Sequence, residues 1–138
     1  MDHNAWILHV EDDPIDAESL RRAFARCGIS NPLHRVARAE EALSWLGGHQ
    51  GGPMLHGIVL LDLGMPGIGG LGFLRHRQSD TELRRVPAVV LTGSNHERDR
   101  RLSYELGASG YVVKPIDAEE FVEAVRVIGR YWTLCELT

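Results

Sequence analysis

Four short apolar runs in this chain each end in a side chain able to do chemistry, and amphipathic segments lie between them. Trp6-Ile7-Leu8-His9-Val10 leads into Glu11-Asp12-Asp13, and Gly57-Ile58-Val59-Leu60-Leu61 leads into Asp62. Val86-Pro87-Ala88-Val89-Val90-Leu91 leads into Thr92, and Tyr111-Val112-Val113 into Lys114-Pro115. Strand and helix signals alternate to the end of the chain, which predicts an α/β fold: a parallel sheet with helices on both faces. In an open sheet of this kind ligands sit beyond the carboxyl ends of the strands. Carboxylates, a hydroxyl and the chain's only lysine are therefore expected to converge on one pocket.

The segments between the runs read as helices with identifiable ends. Asp13 can cap a helix that has Pro14 at its first position, with Ile15, Leu20, Phe24 and Cys27 as its apolar side. Leu33 to Val36 is a weak further strand, which brings the count to five, and Ala39 to Leu46 a short helix burying Ala42, Trp45 and Leu46. Gly47 to Pro53 reads as a flexible connector. A glycine-rich turn after Asp62 precedes a helix through Leu71, Phe73 and Leu74. Ser94 with Glu97 offers a capping box for a helix whose exposed side carries Arg98, Arg100 and Arg101, and Gly107 can end it. Asp117 and Glu120 make a similar start to a last helix through Phe121, Val125, Ile128 and Trp132.

The 138 residues suit one domain, 1–138, with no output domain after the last helix. Lys+Arg 15 against Asp+Glu 19 gives a formal charge of −4, which argues against nucleic acid as the main partner. Cys27 and Cys135 make no disulfide framework, and the seven histidines are scattered without ligand spacing. No apolar stretch approaches the ~20 residues needed to span a membrane, and the start lacks the order of a signal peptide. The expected location is the cytoplasm.

Glu11, Asp12 and Asp62 at adjacent strand ends would repel one another. At ~4 Å and an effective dielectric near 20, each like-charge pair costs about 4 kcal/mol. A hard divalent cation relieves this, and magnesium accepts one or two carboxylates together with a phosphate. Lys114 adds a compact positive charge and Thr92 a hydroxyl donor. The set is suited to phosphoryl transfer, in which positioning and charge neutralisation dominate. An aspartate carboxylate can itself be the nucleophile, and Asp62, central among the strands, is the candidate.

These segments resemble the receiver domains of two-component response regulators. Val10-Glu11-Asp12-Asp13-Pro14, Leu61-Asp62-Leu63-Gly64-Met65-Pro66, Val90-Leu91-Thr92-Gly93 and Gly110-Tyr111-Val112-Val113-Lys114-Pro115 look like that family's signature segments, in order, over almost the whole chain. The resemblance implies a doubly wound, five-stranded, flavodoxin-like fold. It implies that Asp62 accepts phosphate from a sensor histidine kinase, that Asp12 and Asp62 bind Mg2+, that Glu11 reaches it through water, and that the Gly64 carbonyl completes the protein ligands. Thr92 and Lys114 would hold phosphoryl oxygens, Tyr111 would switch rotamer, and the Lys114–Pro115 bond would be cis. Gly64 departs from the polar residue that many receivers carry there, which bears on the dephosphorylation rate.

The tail, Phe121-Val122-Glu123-Ala124-Val125-Arg126 and then Gly129-Arg130-Tyr131-Trp132, looks like that of the single-domain regulators paired with phytochromes. The kinase would then be a bacteriophytochrome. Val122, Tyr131, Leu134 and Leu137 extend apolar character beyond the stripe through Phe121, Val125, Ile128 and Trp132. A homodimer through the last helix is therefore expected, with Val122, Tyr131, Trp132 and Leu134 at its interface. Rival readings remain distinguishable. Gly67-Ile68-Gly69-Gly70-Leu71-Gly72 matches a dinucleotide fingerprint, but Met65-Pro66 intervenes and the next strand ends in Thr92 rather than an acid. A dehalogenase-like phosphatase wants a second aspartate where Gly64 stands, and a degenerate receiver acting only as a docking module would not need all five site residues.

Overall fold

The structure is a computed structural model and describes residues 5–48 and 57–134, without the side chains of 133 and 134. Residues 49–53 of the expected Gly47–Pro53 connector, Cys135, Leu137 and the Leu134 side chain lie outside the described residues, while Gly47 ends a helix and Gly48 follows it. In chain order the elements are β1 (Trp6–Val10), α1 (Pro14–Arg26), β2 (Leu33–Val36), α2 (Ala39–Gly47), β3 (Gly57–Leu61) and α3 (Gly69–Ser79). A 3-10 turn at Leu83–Arg85 leads to β4 (Ala88–Thr92), α4 (Glu97–Glu105), β5 (Gly110–Val113) and α5 (Ala118–Leu134). The strands form one sheet in the order β2-β1-β3-β4-β5, parallel at every pairing.

Strand residues alternate between two apolar layers, as the pleat requires. Leu8, Val10, Val59, Leu61, Ala88 and Val90 face α2 and α3 in a layer that includes Ala42, Leu46, Phe73 and Leu74. Ile7, Ile58, Leu60, Val89 and Leu91 face the other way, against Leu20, Ala23 and Phe24 of α1 and Val122, Val125, Ile128 and Trp132 of α5. Both faces are covered, so β1, β3 and β4 are buried along their whole length. That is why these runs are continuously apolar rather than alternating with polar residues.

The chain leaves β1 for β2 on one side, then returns to place β3 on the other. Strand order reverses at that point, and a crevice opens above the carboxyl ends of β1 and β3.

Several local expectations hold. Asp13 caps α1, its carboxylate accepting from the Ile15 amide at 2.8 Å, with Pro14 in the first turn. Gly107, at φ 91°, follows the end of α4. The Asp117 carboxylate accepts from the amides of Glu119 and Glu120.

Others are corrected. Ile15 is 75% exposed rather than buried, because the first turn of α1 projects past the strand ends and has no sheet beneath it. The Ser94–Glu97 capping box does not form: α4 starts after His96 with no side-chain cap, and Ser94 Oγ donates instead to Asp99 at 2.6 Å. The Lys114–Pro115 bond is trans. Trans is the intrinsic preference of such a bond, and the residue that follows, Ile116, is fully exposed rather than packed against the fold. Cys27 is a free, half-buried thiol with Sγ 3.6 Å from the Val122 carbonyl.

Val122 is a correction as well: expected at an exposed surface, it is 8% exposed within the layer against α1, where Trp132, a member of the expected buried stripe, is 5% exposed. The helix is rotated slightly from the expected stripe, so that Val122 is buried and Phe121 only half-buried. Tyr131 remains exposed, joined by Val127. Among the described residues no helix is long and apolar enough to cross a membrane.

Candidate functional site

The crevice at the β1/β3 switch point collects the expected side chains. Carboxylate oxygens of Glu11, Asp12 and Asp62 all lie within 4.8 Å of one another. Backbone bonds set this spacing: the Asp62 amide donates to the Val10 carbonyl at 3.1 Å, and the Glu11 amide to the Val36 carbonyl at 3.0 Å. The sheet ladder thus carries one step past the last strand residue on each side, which brings the acids to the same height. Glu11 is 1% exposed and Asp62 9%, while Asp12 faces solvent. Oxygen donors of this kind, two of them sheltered and one open to water, suit a hard divalent cation that keeps part of its hydration.

Lys114 closes one side. Its ammonium lies 2.5 Å from Glu11 Oε1 and 3.3 Å from Asp16 Oδ2. Its own amide donates to the Thr92 carbonyl at 2.7 Å, so the end of β5 is tied to the end of β4. Burial pushes the Glu11 carboxyl up to about 7, the Asp62 charge adding to this and Lys114 opposing it. Burial also disfavours the Lys114 ammonium, but bonding to Glu11 and the charges of Asp62 and Asp16 outweigh it, and the lysine is held charged.

The loop after Asp62 is shaped by glycine. A Cβ on Gly70 would lie 2.5 Å from the Asp62 carbonyl oxygen, so only glycine lets the start of α3 pack this closely behind the nucleophile candidate. Gly67, at φ 80°, turns the chain just before it. Gly67 is one of the glycines that imitate a dinucleotide fingerprint and Gly70 lies within the same run, and here they serve the turn and the close approach. A Cβ on Gly64 would meet only Asp62 Oδ2, at 3.7 Å, so one edge of that carboxylate is left uncovered.

Thr92 is 2% exposed, and its hydroxyl accepts weakly from the Ser94 amide at 3.5 Å. Tyr111 is half-buried, with its hydroxyl donating to the Ser94 carbonyl at 2.9 Å. Arg100, expected on a solvated helix face, is half-buried instead, with its guanidinium 5.5 Å from the Tyr111 ring centre. It also donates to Asn95 and Glu97.

Two site neighbours were not anticipated. Arg35, from edge strand β2, donates to the carbonyls of Glu11 at 2.9 Å and Asp12 at 3.0 Å, bracing the loop that presents both acids. Nothing local in the sequence links residues so far apart; only the β1–β2 pairing does. Asp16 lies in the first turn of α1, and only the seat of that helix against the end of β5 brings it to Lys114.

Known proteins resemble this chain in sequence and in fold. The response regulator receiver domain family matches residues 7–126. The probable methanogenesis regulatory protein FilR2 of Methanothrix harundinacea is 35% identical over 127 residues, covering 91% of this chain and 82% of that protein. Response regulator Rcp1 of Synechocystis is 30% identical over 129 residues, covering 91% and 87%. Its Mn2+-bound crystal structure superposes with a TM-score of 0.83 at 28% identity, covering 97% and 99% of the two chains. The phosphorylated cyanobacterial phytochrome response regulator RcpA gives a TM-score of 0.83 at 29% identity over 95% of each. With the crevice, the acids and the matched span in agreement, this chain belongs to the response regulator receiver domain family.

Proposed function

We propose that this protein accepts a phosphoryl group on Asp62 from the phosphohistidine of a sensor histidine kinase, with Mg2+ as cofactor, and passes the signal on by conformational change or phosphorelay. The observation that carries this reading is the cluster of Glu11, Asp12 and Asp62 oxygens within 4.8 Å, with Lys114 on its edge. Asp12 and Asp62 would hold the metal directly, Glu11 through water, and the Gly64 carbonyl would complete the protein ligands. Bound there, the cation supplies charge neutralisation for the carboxylates and the incoming phosphoryl oxygens.

In the reaction an Asp62 carboxylate oxygen forms a bond to phosphorus while the donor's P–N bond breaks. The electron pair leaves with the imidazole, which takes up a proton. Thr92 and Lys114 would each bind a phosphoryl oxygen, one by a hydroxyl and one by a charge-assisted bond. Tyr111 would follow Thr92, because both hold the Ser94 backbone, one at its amide and one at its carbonyl. The phytochrome association of RcpA supports a phytochrome as the donor kinase, and the reaction would take place in the cytoplasm. The protein would act as a homodimer through α5, where Val127 and Tyr131 are 56% and 58% exposed.

The test is incubation with a small acyl phosphate and Mg2+, followed by intact mass. One added phosphate is expected on the wild type and none on Asp62→Asn. Turnover of many phosphate esters would indicate a phosphatase, and an unchanged mass would leave a docking module. Light scattering of full-length protein at high micromolar concentration tests the dimer, and a monomeric mass would overturn it.

A further inference from the structure

Lys114 is held by two carboxylates, only one of which belongs to the acid cluster. Glu11 binds the ammonium from the end of β1, while Asp16 binds it from the first turn of α1 at 3.3 Å. Asp16 and Lys114 also line one end of a cavity of about 380 Å3 between α1 and α5, whose walls include Arg22, Arg26, Ile116 and Phe121. The ammonium therefore rests between the acid cluster and this cavity. It makes hydrogen bonds to Glu11 and Asp16, and its interaction with Asp62 is through charge alone.

We propose that Asp16 is a positioning residue that competes with the phosphoacceptor site for Lys114 and slows phosphoryl uptake. The inference rests on the phosphoacceptor reading above. To bind an oxygen of a phosphoryl group on Asp62, the ammonium has to move off Asp16. A contact present in the resting protein and weakened in the transition state raises the barrier by what it contributed to the resting state. Asp16 is well placed for this, since Asp13 and Pro14 fix the start of its helix and its side chain is 47% exposed, enough to let go into water. Asp16→Asn keeps the shape and removes the charge.

The experiment follows the rate at which the Mg2+-loaded full chain gains phosphate from acetyl phosphate. In that step an Asp62 oxygen bonds to phosphorus, the bond from phosphorus to the acetyl oxygen breaks, and acetate leaves with the electron pair. Asp16→Asn is expected to react about two- to fivefold faster, the range a partly exposed ion pair commands. Glu18→Gln removes the same charge from the same helix without touching Lys114, because Glu18 pairs with Arg21 and Arg22. Its rate should match the wild type.

Equal acceleration in both variants would reduce Asp16 to a general repulsion of anions and overturn the proposal, as would an unchanged rate in Asp16→Asn. A second readout is independent of the reaction. Lys114 is the only lysine, so lysine-selective 15N labelling should report a single ammonium. Its signal in metal-free protein should move in Asp16→Asn and stay in place in Glu18→Gln; a signal that ignores Asp16→Asn also overturns the proposal. Failure of the wild type to take up phosphate removes the phosphoacceptor reading and this inference together. A labelled wild type with an unaltered Asp16→Asn rate removes this inference alone.

Discussion

The ammonium of Lys114 lies 2.5 Å from the Oε1 atom of Glu11, a carboxylate that is 1% exposed. Within that buried environment each partner offsets the desolvation of the other. Removing the lysine leaves an acid that burial and Asp62 already push up to about 7, with its main opposing influence gone. Lys114→Ala should therefore lose roughly 1–3 kcal/mol in metal-free buffer near pH 8, less than a truly stranded charge would cost, because the carboxyl can take up a proton. Urea unfolding measures this, and the deficit should shrink as pH falls below 7. Lys114→Arg keeps the charge but replaces a compact ammonium with a wide planar fork. It should fold and be impaired in signalling.

Magnesium should stabilise the wild type. A ligand that binds only the folded state adds RT ln(1 + [L]/Kd), about 2.7 kcal/mol at a hundred times Kd. The thermal midpoint should climb steadily with Mg2+ in the wild type and hardly at all in Asp12→Ala. Midpoints that ignore millimolar Mg2+ in both proteins would dismiss the metal site.

Acid should destabilise the fold through His9. Burial, then the charges of Lys114 and Arg35, hold its imidazole down at about 3, against an ordinary value of 6.5. The unfolded chain binds a proton below about 6.5 that the folded chain refuses, so this contribution is complete above pH 6.5 and fades as pH falls toward 3. At 1.36 kcal/mol per unit, roughly 2 kcal/mol is lost by pH 5. His9→Leu should flatten that part of the stability profile in denaturant titrations, and an unaltered slope would assign the acid sensitivity elsewhere.

Ser103 offers a gain. It sits on α4 fully buried, and its hydroxyl has no hydrogen-bond partner among the described residues. Burying an unsatisfied hydroxyl costs about 1–3 kcal/mol, and alanine is the better helix former. Ser103→Ala should raise stability by about 1 kcal/mol in urea unfolding, with no change in phosphate uptake.

The sequence alone determined the strands, their order along the chain and the reactive residues that follow or end β1, β3, β4 and β5. These signals are local: a buried parallel strand has to be apolar throughout, and the residue after it is the first to meet solvent. The caps at Asp13 and Asp117 were legible for the same reason, since each bonds amides only two or three residues away. Tertiary structure decided what depends on partners distant in the chain. Pairing of β1 with β2 laid Arg35 across the Glu11 and Asp12 carbonyls, and the seat of α1 brought Asp16 to Lys114. The rotation of α5 against α1 buried Val122 and left Phe121 half-buried and Tyr131 outside. An amphipathic pattern states how wide an apolar stripe is, whereas the depth of each residue in it is set by the shape of the surface it packs against.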